Sequence, residues 1–245
     1  MLLCAGYYSV VTTFNCLISF SVASPTPAAD CGFCPVTNRW STVTCFCQSP
    51  DFSKIANQII LPIDGLSFPK RASRLPNAPR SYRSGTHRGI DFFSNWGTPV
   101  RSVADGIIIR SDINYKEMPA DFRIEMLKRA SLINRTPSDI FNELLLGQAV
   151  IIDHGLELFP GYRSISIYAH LSSIIPKFET GYNIKSGEIF GYSGNTGTSP
   201  STKGTKDESH LHWELILQDS KGEYYFGQDL EYSELIEALD SLFIK

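Results

Sequence analysis

Seven short runs of strand-forming residues, set apart by glycine, proline and polar turn residues, run from Gly89 to Leu217 and most constrain what this chain can fold into. They read "GIDFF", "TPVRSV", "GIIIRS", "QAVIIDHG", "RSISIYAHLS", "GEIFGYSG" and "LHWELIL". Runs of this length, rich in β-branched and aromatic residues and bounded by turn formers, are strands. The first three are read as consecutive antiparallel strands, broken at Gly97, Pro99 and Gly106.

One stretch breaks this rhythm. Between residues 115 and 146, "PADFRIEMLKRASLI" spaces Phe122, Met126, Leu127 and Leu132 as a helix would, and "TPSDIFNELLLG" offers Thr136 as N-cap, Pro137 at the first helical position and Gly147 as a stop. A helical insertion over about 113–147 is therefore expected, and "EYSELIEALDSLF" predicts a C-terminal helix. The fold class expected is mainly β and antiparallel, with these helical additions. A hydrophobic share of 42% in 245 residues is enough for one sizeable core.

The N-terminal part reads differently. The first 29 residues hold no charged side chain, and the segment 1–23 resembles a signal peptide ending at Ser21-Val22-Ala23; an uncleaved anchor is the alternative. Either implies export, to the periplasm, cell envelope or beyond, with membrane association only if the segment stays as an anchor. Residues 24–59 follow as a cysteine-containing segment, in which Cys31, Cys34, Cys45 and Cys47 are read first as disulfides and second as a zinc knuckle. Residues 60–86, with Pro62, Pro69, Pro76 and Pro79 among Arg71, Arg74, Arg80 and Arg83, read as an extended lead-in to a domain spanning 87–245. With 22 Lys+Arg against 25 Asp+Glu, the net charge of -3 supplies no basic field for a phosphate backbone, so no nucleic-acid partner is expected. Nothing in the sequence sets the oligomeric state.

Four of the five histidines fall in three separated motifs: "THRGID" with His87 and Asp91, "IYAHLSS" with His170, and "ESHLHWEL" with His210 and His212. On a strand His210 and His212 share one face. His87 and Asp91, four residues apart, would lie roughly 13 Å apart on a straight strand, too far for one metal with bonds of about 2 Å, so the chain is expected to bend at Gly89. Two imidazoles and a carboxylate are the composition of a zinc site with one position left for water or substrate. His154 reads as a strand-end turn residue, Trp96 and Trp213 as packing residues, and "GNTGTS" as a tight turn on the groove wall.

Together "HRGID", "YAHLS" and "HLH", with "GYSGNTGTS" between the last two, resemble the M23 family of zinc metallopeptidases, the lysostaphin/LytM-like peptidoglycan endopeptidases, over about residues 85–218. The resemblance implies an antiparallel β-sheet groove, Zn2+ bound by His87, Asp91 and His212, and catalytic roles for His170 and His210. It also implies hydrolysis of a peptide bond in bacterial peptidoglycan, in a cross-link or stem peptide, with a zinc-activated water as nucleophile and peptidoglycan peptides as partners. The rival is a wall-binding module without turnover. Simpler family members have a short hairpin where this chain has its insertion.

Overall fold

A computed structural model describes residues 50–52, 55 and 58–244. Residues 1–23, read above as a signal peptide or anchor, and Cys31, Cys34, Cys45 and Cys47 lie outside the described residues. Among those described, no helix is long and apolar enough to cross a membrane.

The first strands are short: β1 (Pro79–Arg80) pairs with β2 (Gly85–Thr86), and β3 (Ile90–Phe93), β4 (Pro99–Arg101) and β5 (Gly106–Ser111) follow. After the insertion come β6 (Val150–Phe159), β7 (Tyr162–Ala169), β8 (Leu171–Ile174), β9 (Asn183–Ile184), β10 (Ile189–Ser193), β11 (His210–Gln218) and β12 (Glu223–Tyr225). The main sheet runs β12-β11-β7-β6-β5-β9 with β3 added on β11, and a second sheet runs β4-β10-β8. Every pairing between these strands is antiparallel. The mainly antiparallel class read from the sequence is what the chain adopts.

The expectation that β3, β4 and β5 are consecutive partners does not hold. They join β11, β10 and β6 respectively, because each finds its apolar complement on a distant strand rather than across the turn. This long-range pairing brings His87 and Asp91 to His212, with Asp91 directly opposite His212 in the register.

β11 is buried from His210 to Leu217. Its alternation sorts the side chains: Leu211, Trp213, Leu215 and Leu217 enter the main core, whereas His210, His212 and Glu214 share the other face. The C-terminal helix forms as expected (α2, Tyr232–Leu242), opened by a reciprocal Glu231/Glu234 capping box and burying Leu235, Ala238, Leu239 and Leu242 at helical spacing.

Residues 60–86, expected to be an extended lead-in, pack against the domain instead. Ile63, Phe68 and Leu75 are buried in the main core, which outweighs the proline content of the stretch.

The insertion holds α1 (Ala120–Leu132) and a π-helical turn at Ile140–Leu145. Only part of the expected apolar stripe turns inward. Phe122 and Leu132 are exposed, each five residues from Leu127 and thus rotated from it by about 140°. Thr136 is not an N-cap: its hydroxyl donates to the Arg83 carbonyl, tying the insertion to the segment before β2. Phe141, Leu145 and Leu146 cover Ile165, Ile167, Ala169 and Ile216, an apolar patch on β7 and β11 that would otherwise face water.

Candidate metal centre and active site

His87 follows β2, and Gly89 lets the chain turn into β3. Gly89 does so by close approach rather than by a left-handed backbone: a Cβ there would lie 2.5 Å from the Trp213 carbonyl of β11. The turn sets His87 Nε2 2.9 Å from Asp91 Oδ1, and cross-strand pairing sets His212 Nδ1 2.9 Å from the same oxygen. The two imidazole nitrogens are 3.0 Å apart. All three residues are buried, and their ligand atoms could hold one metal ion.

The outer nitrogens decide what the inner ones are. His87 Nδ1 lies 2.8 Å from the Leu75 carbonyl, which can only accept, so the proton sits on Nδ1 and Nε2 is bare. His212 Nε2 lies 2.8 Å from Glu214 Oε1, so its proton sits there and Nδ1 is bare. Two lone pairs and a carboxylate oxygen thus converge with no donor among them, an arrangement that calls for a cation between them. The separations of 2.9–3.0 Å are a little under the roughly 3.3 Å edge made by two bonds of about 2 Å at a tetrahedral angle. The donor set, nitrogen, nitrogen and oxygen, suits zinc.

The electrostatics agree. Burial pushes the Asp91 carboxyl up, but the imidazoles of His212 and His87 against it hold it well below the usual carboxylate range. Burial lowers His87 against the pull of Asp91. It also lowers His212, yet Asp91 and Glu214 on either side lift it to about 9, so without a metal a proton takes the cation's place. Burial raises Glu214, and Arg88 and His212 bring it down to about 2.

Two further imidazoles line the same cavity, of about 490 Å³. His170, between β7 and β8, has a left-handed backbone (φ 60°), and Leu146 O accepts from its backbone N–H at 2.9 Å. Its Nδ1–H donates to Thr196 O at 2.7 Å, leaving Nε2 bare. Thr196 belongs to the "GNTGTS" turn, which forms one wall, as the sequence suggested. His210 Nδ1–H donates to Glu208 O at 2.6 Å, and its ring stacks on Phe93 with its Nε2 3.8 Å from Asp91 Oδ1. Burial lowers both, His170 strongly with added repulsion from His210 and His212, so both are neutral proton acceptors near pH 7.

All five residues singled out from the sequence therefore meet in one cavity. His154 lies within β6, remote from it, bonded to Asp105 O and Ser166 Oγ. Trp213 packs in the core, whereas Trp96 is about one-third exposed beneath Lys206. Three residues were missed. Arg80 donates to Asp91 Oδ2 at 2.9 Å, Glu214 orients His212, and Arg88 pairs with Glu214 at 3.0 Å. Glu214 had a signal, its place two residues after His212 on the same strand face.

A buried His/Asp/His set with an open side, facing two further imidazoles on an antiparallel sheet, defines a mononuclear metal-site class with room for a substrate. Residues 138–223 match the model of Peptidase family M23, a span holding His170, His210 and His212. That segment is similar to peptidase family M23, over about a third of the chain.

Among curated proteins the chain is 28% identical over 142 residues to peptidoglycan DD-endopeptidase ShyA of Vibrio cholerae serotype O1, covering 57% of this chain and 22% of that protein. It is 30% identical over 139 residues to glycyl-glycine endopeptidase ALE-1 of Staphylococcus capitis, covering 56% and 26%. The chain thus spans about a quarter of the length of these two relatives. Among solved structures it is similar to lysostaphin from Staphylococcus simulans, 20% identical over 67% of this chain and 50% of that one, with a TM-score of 0.40.

Proposed function

We propose that the protein is a zinc metalloendopeptidase that hydrolyses a peptide bond in bacterial peptidoglycan, with His87, Asp91 and His212 as metal ligands and His170 and His210 as catalytic residues. The observation that carries this reading is the convergence of three bare acceptor atoms at 2.9–3.0 Å, each held in place from behind. Peptidoglycan is the substrate named for one relative, and both relatives above are named endopeptidases. Since peptidoglycan lies outside the cytoplasmic membrane, the reading implies an exported protein.

Zinc bound there supplies a Lewis acid that polarises the scissile carbonyl and makes water a competent nucleophile near neutral pH. The chain's own residues do the rest. Leu75 O and Glu214 fix the tautomers of His87 and His212, and Arg80 turns Asp91 so that Oδ1 faces the imidazoles. His170 and His210 present bare Nε2 atoms to the cavity. One can take the proton of the attacking water and return it to the leaving amine; the other, once protonated, can donate to the developing oxyanion.

The test is digestion of purified peptidoglycan by the full chain, followed by mass spectrometry of the released muropeptides. Activity should vanish with a chelator and return with zinc. His212→Ala should lose metal and turnover together, whereas His170→Ala and His210→Ala should keep metal and lose most turnover. Undiminished digestion after complete metal removal would falsify the proposal.

A further inference from the structure

The 60–86 segment and the insertion add arginines to the walls of this cavity, and two of them pair with no carboxylate among the described residues. Arg80, Arg83 and Arg123 all line it. Arg80 is spoken for by Asp91, and the neighbouring Arg88 and Arg110 likewise meet carboxylates at 3.0 and 2.9 Å. Arg83 and Arg123 differ. Arg83 is only 6% exposed, yet its guanidinium donates to the Thr86 carbonyl, lies 4.7 Å from the centre of the Phe141 ring and makes no ion pair with a described residue. Arg123, from α1, donates its Nε–H to the Gly197 carbonyl at 3.0 Å and makes no ion pair either.

A buried guanidinium keeps its charge and has five donors to satisfy, so leaving it without an anion is costly. Burial presses on both arginines. Of the acids on the same cavity, Asp91 is held by Arg80 and two imidazoles, and Glu208 sits exposed at the rim; Glu117, the acid whose charge reaches Arg123, makes no ion pair with it and is taken up by the Gly197 N–H and the Ser201 hydroxyl. Glu214, the acid nearest Arg83 in its electrostatic surroundings, is bonded to Arg88 and His212.

We infer that Arg83 and Arg123 form a subsite for a carboxylate of the substrate peptide, so that the enzyme selects acidic peptides over neutral ones such as oligoglycine. This rests on the peptidase reading above and specifies its substrate. The planar fork of arginine matches a carboxylate with two parallel hydrogen bonds, and partial burial of both arginines strengthens them. The residues act on specificity, not on the bond-breaking step.

The test compares two versions of one peptidoglycan-derived dimeric peptide, one with its free carboxylates and one with them converted to amides. The zinc-loaded full chain should hydrolyse the acidic form with kcat/KM at least about tenfold higher, the size of one charge-assisted hydrogen bond. Arg123→Gln, at a half-buried helix position, should lower that ratio towards one, mainly through KM on the acidic peptide, and Arg123→Lys should fall between. Equal hydrolysis of both peptides by the native chain, or a native ratio in Arg123→Gln, would overturn the carboxylate subsite alone. Hydrolysis of neither peptide would overturn the peptidase reading and the subsite with it.

Discussion

Gly147 closes the insertion with φ +64°, and a Cβ added there would lie 2.3 Å from Thr196 O and 2.4 Å from its carbonyl carbon. Gly147→Ala therefore carries two costs. The left-handed backbone costs an alanine about 1–2 kcal/mol, and the overlap forces the Thr196 backbone to move. That carbonyl accepts from His170 Nδ1, and the Thr196 hydroxyl links Gln148 N to Leu171 O. Losing one of these bonds adds about 0.5–1.5 kcal/mol. The sum, about 1.5–3.5 kcal/mol, corresponds to a melting point lower by about 3–14 °C for a protein of this size. Gly155→Ala is the control, since its φ is +70° and nothing lies within 4 Å of its added Cβ; it should show the backbone cost alone. Differential scanning calorimetry, zinc stoichiometry and kcat on both variants make the assay. Gly147→Ala should keep its zinc but lose turnover, because His170 is no longer held by Thr196, whereas Gly155→Ala should keep both. Equal melting points for the two variants, with kcat intact in Gly147→Ala, would refute the reasoning.

Other expectations follow from the residues behind the centre. Glu214→Gln keeps an acceptor for His212 but removes the charge that raises its basicity, and zinc affinity should fall about 10- to 100-fold in a competitive chelator titration; an unchanged affinity would remove Glu214 from the centre's support. In the metal-free fold His212 titrates at about 9 against an unfolded value near 6.5. Its stabilisation is complete below pH 6.5 and is lost as pH rises towards 9, so the melting point of the metal-free protein should decline across that window. Zinc must displace the same proton, so binding at pH 7 should release about one proton per ion, read by calorimetry in buffers of different ionisation enthalpy; no release would contradict the raised basicity of His212.

The sequence carried the inner site unusually well, for a physical reason. His87 with Asp91 and His210 with His212 sit within short motifs whose local geometry, a turn and an alternating strand, already brings each pair to one side. The backing groups were less legible. Leu75, Thr196 and Glu208 act through main-chain carbonyls, which leave no trace in side-chain identity. Arg80 reaches Asp91 from a proline-flanked stretch where local spacing predicts nothing. The pairing of β3, β4 and β5 was hidden for a related reason: short apolar runs specify that a strand exists, and only the assembled sheets specify its neighbour. Glu214 was legible in the alternation of β11, two residues after His212 on the same face.

The cover that Phe141, Leu145 and Leu146 lay over β7 and β11 makes the insertion an inseparable part of the scaffold. Excising it would strip Ile165, Ile167 and Ile216 of their shelter, leaving a sticky patch next to the histidine-lined cavity. The His170 backbone would also lose the Leu146 carbonyl that receives its N–H. A smaller version of this fold cannot be carved from the chain by shortening that loop alone: those three isoleucines would have to be exchanged for hydrophilic side chains in the same step.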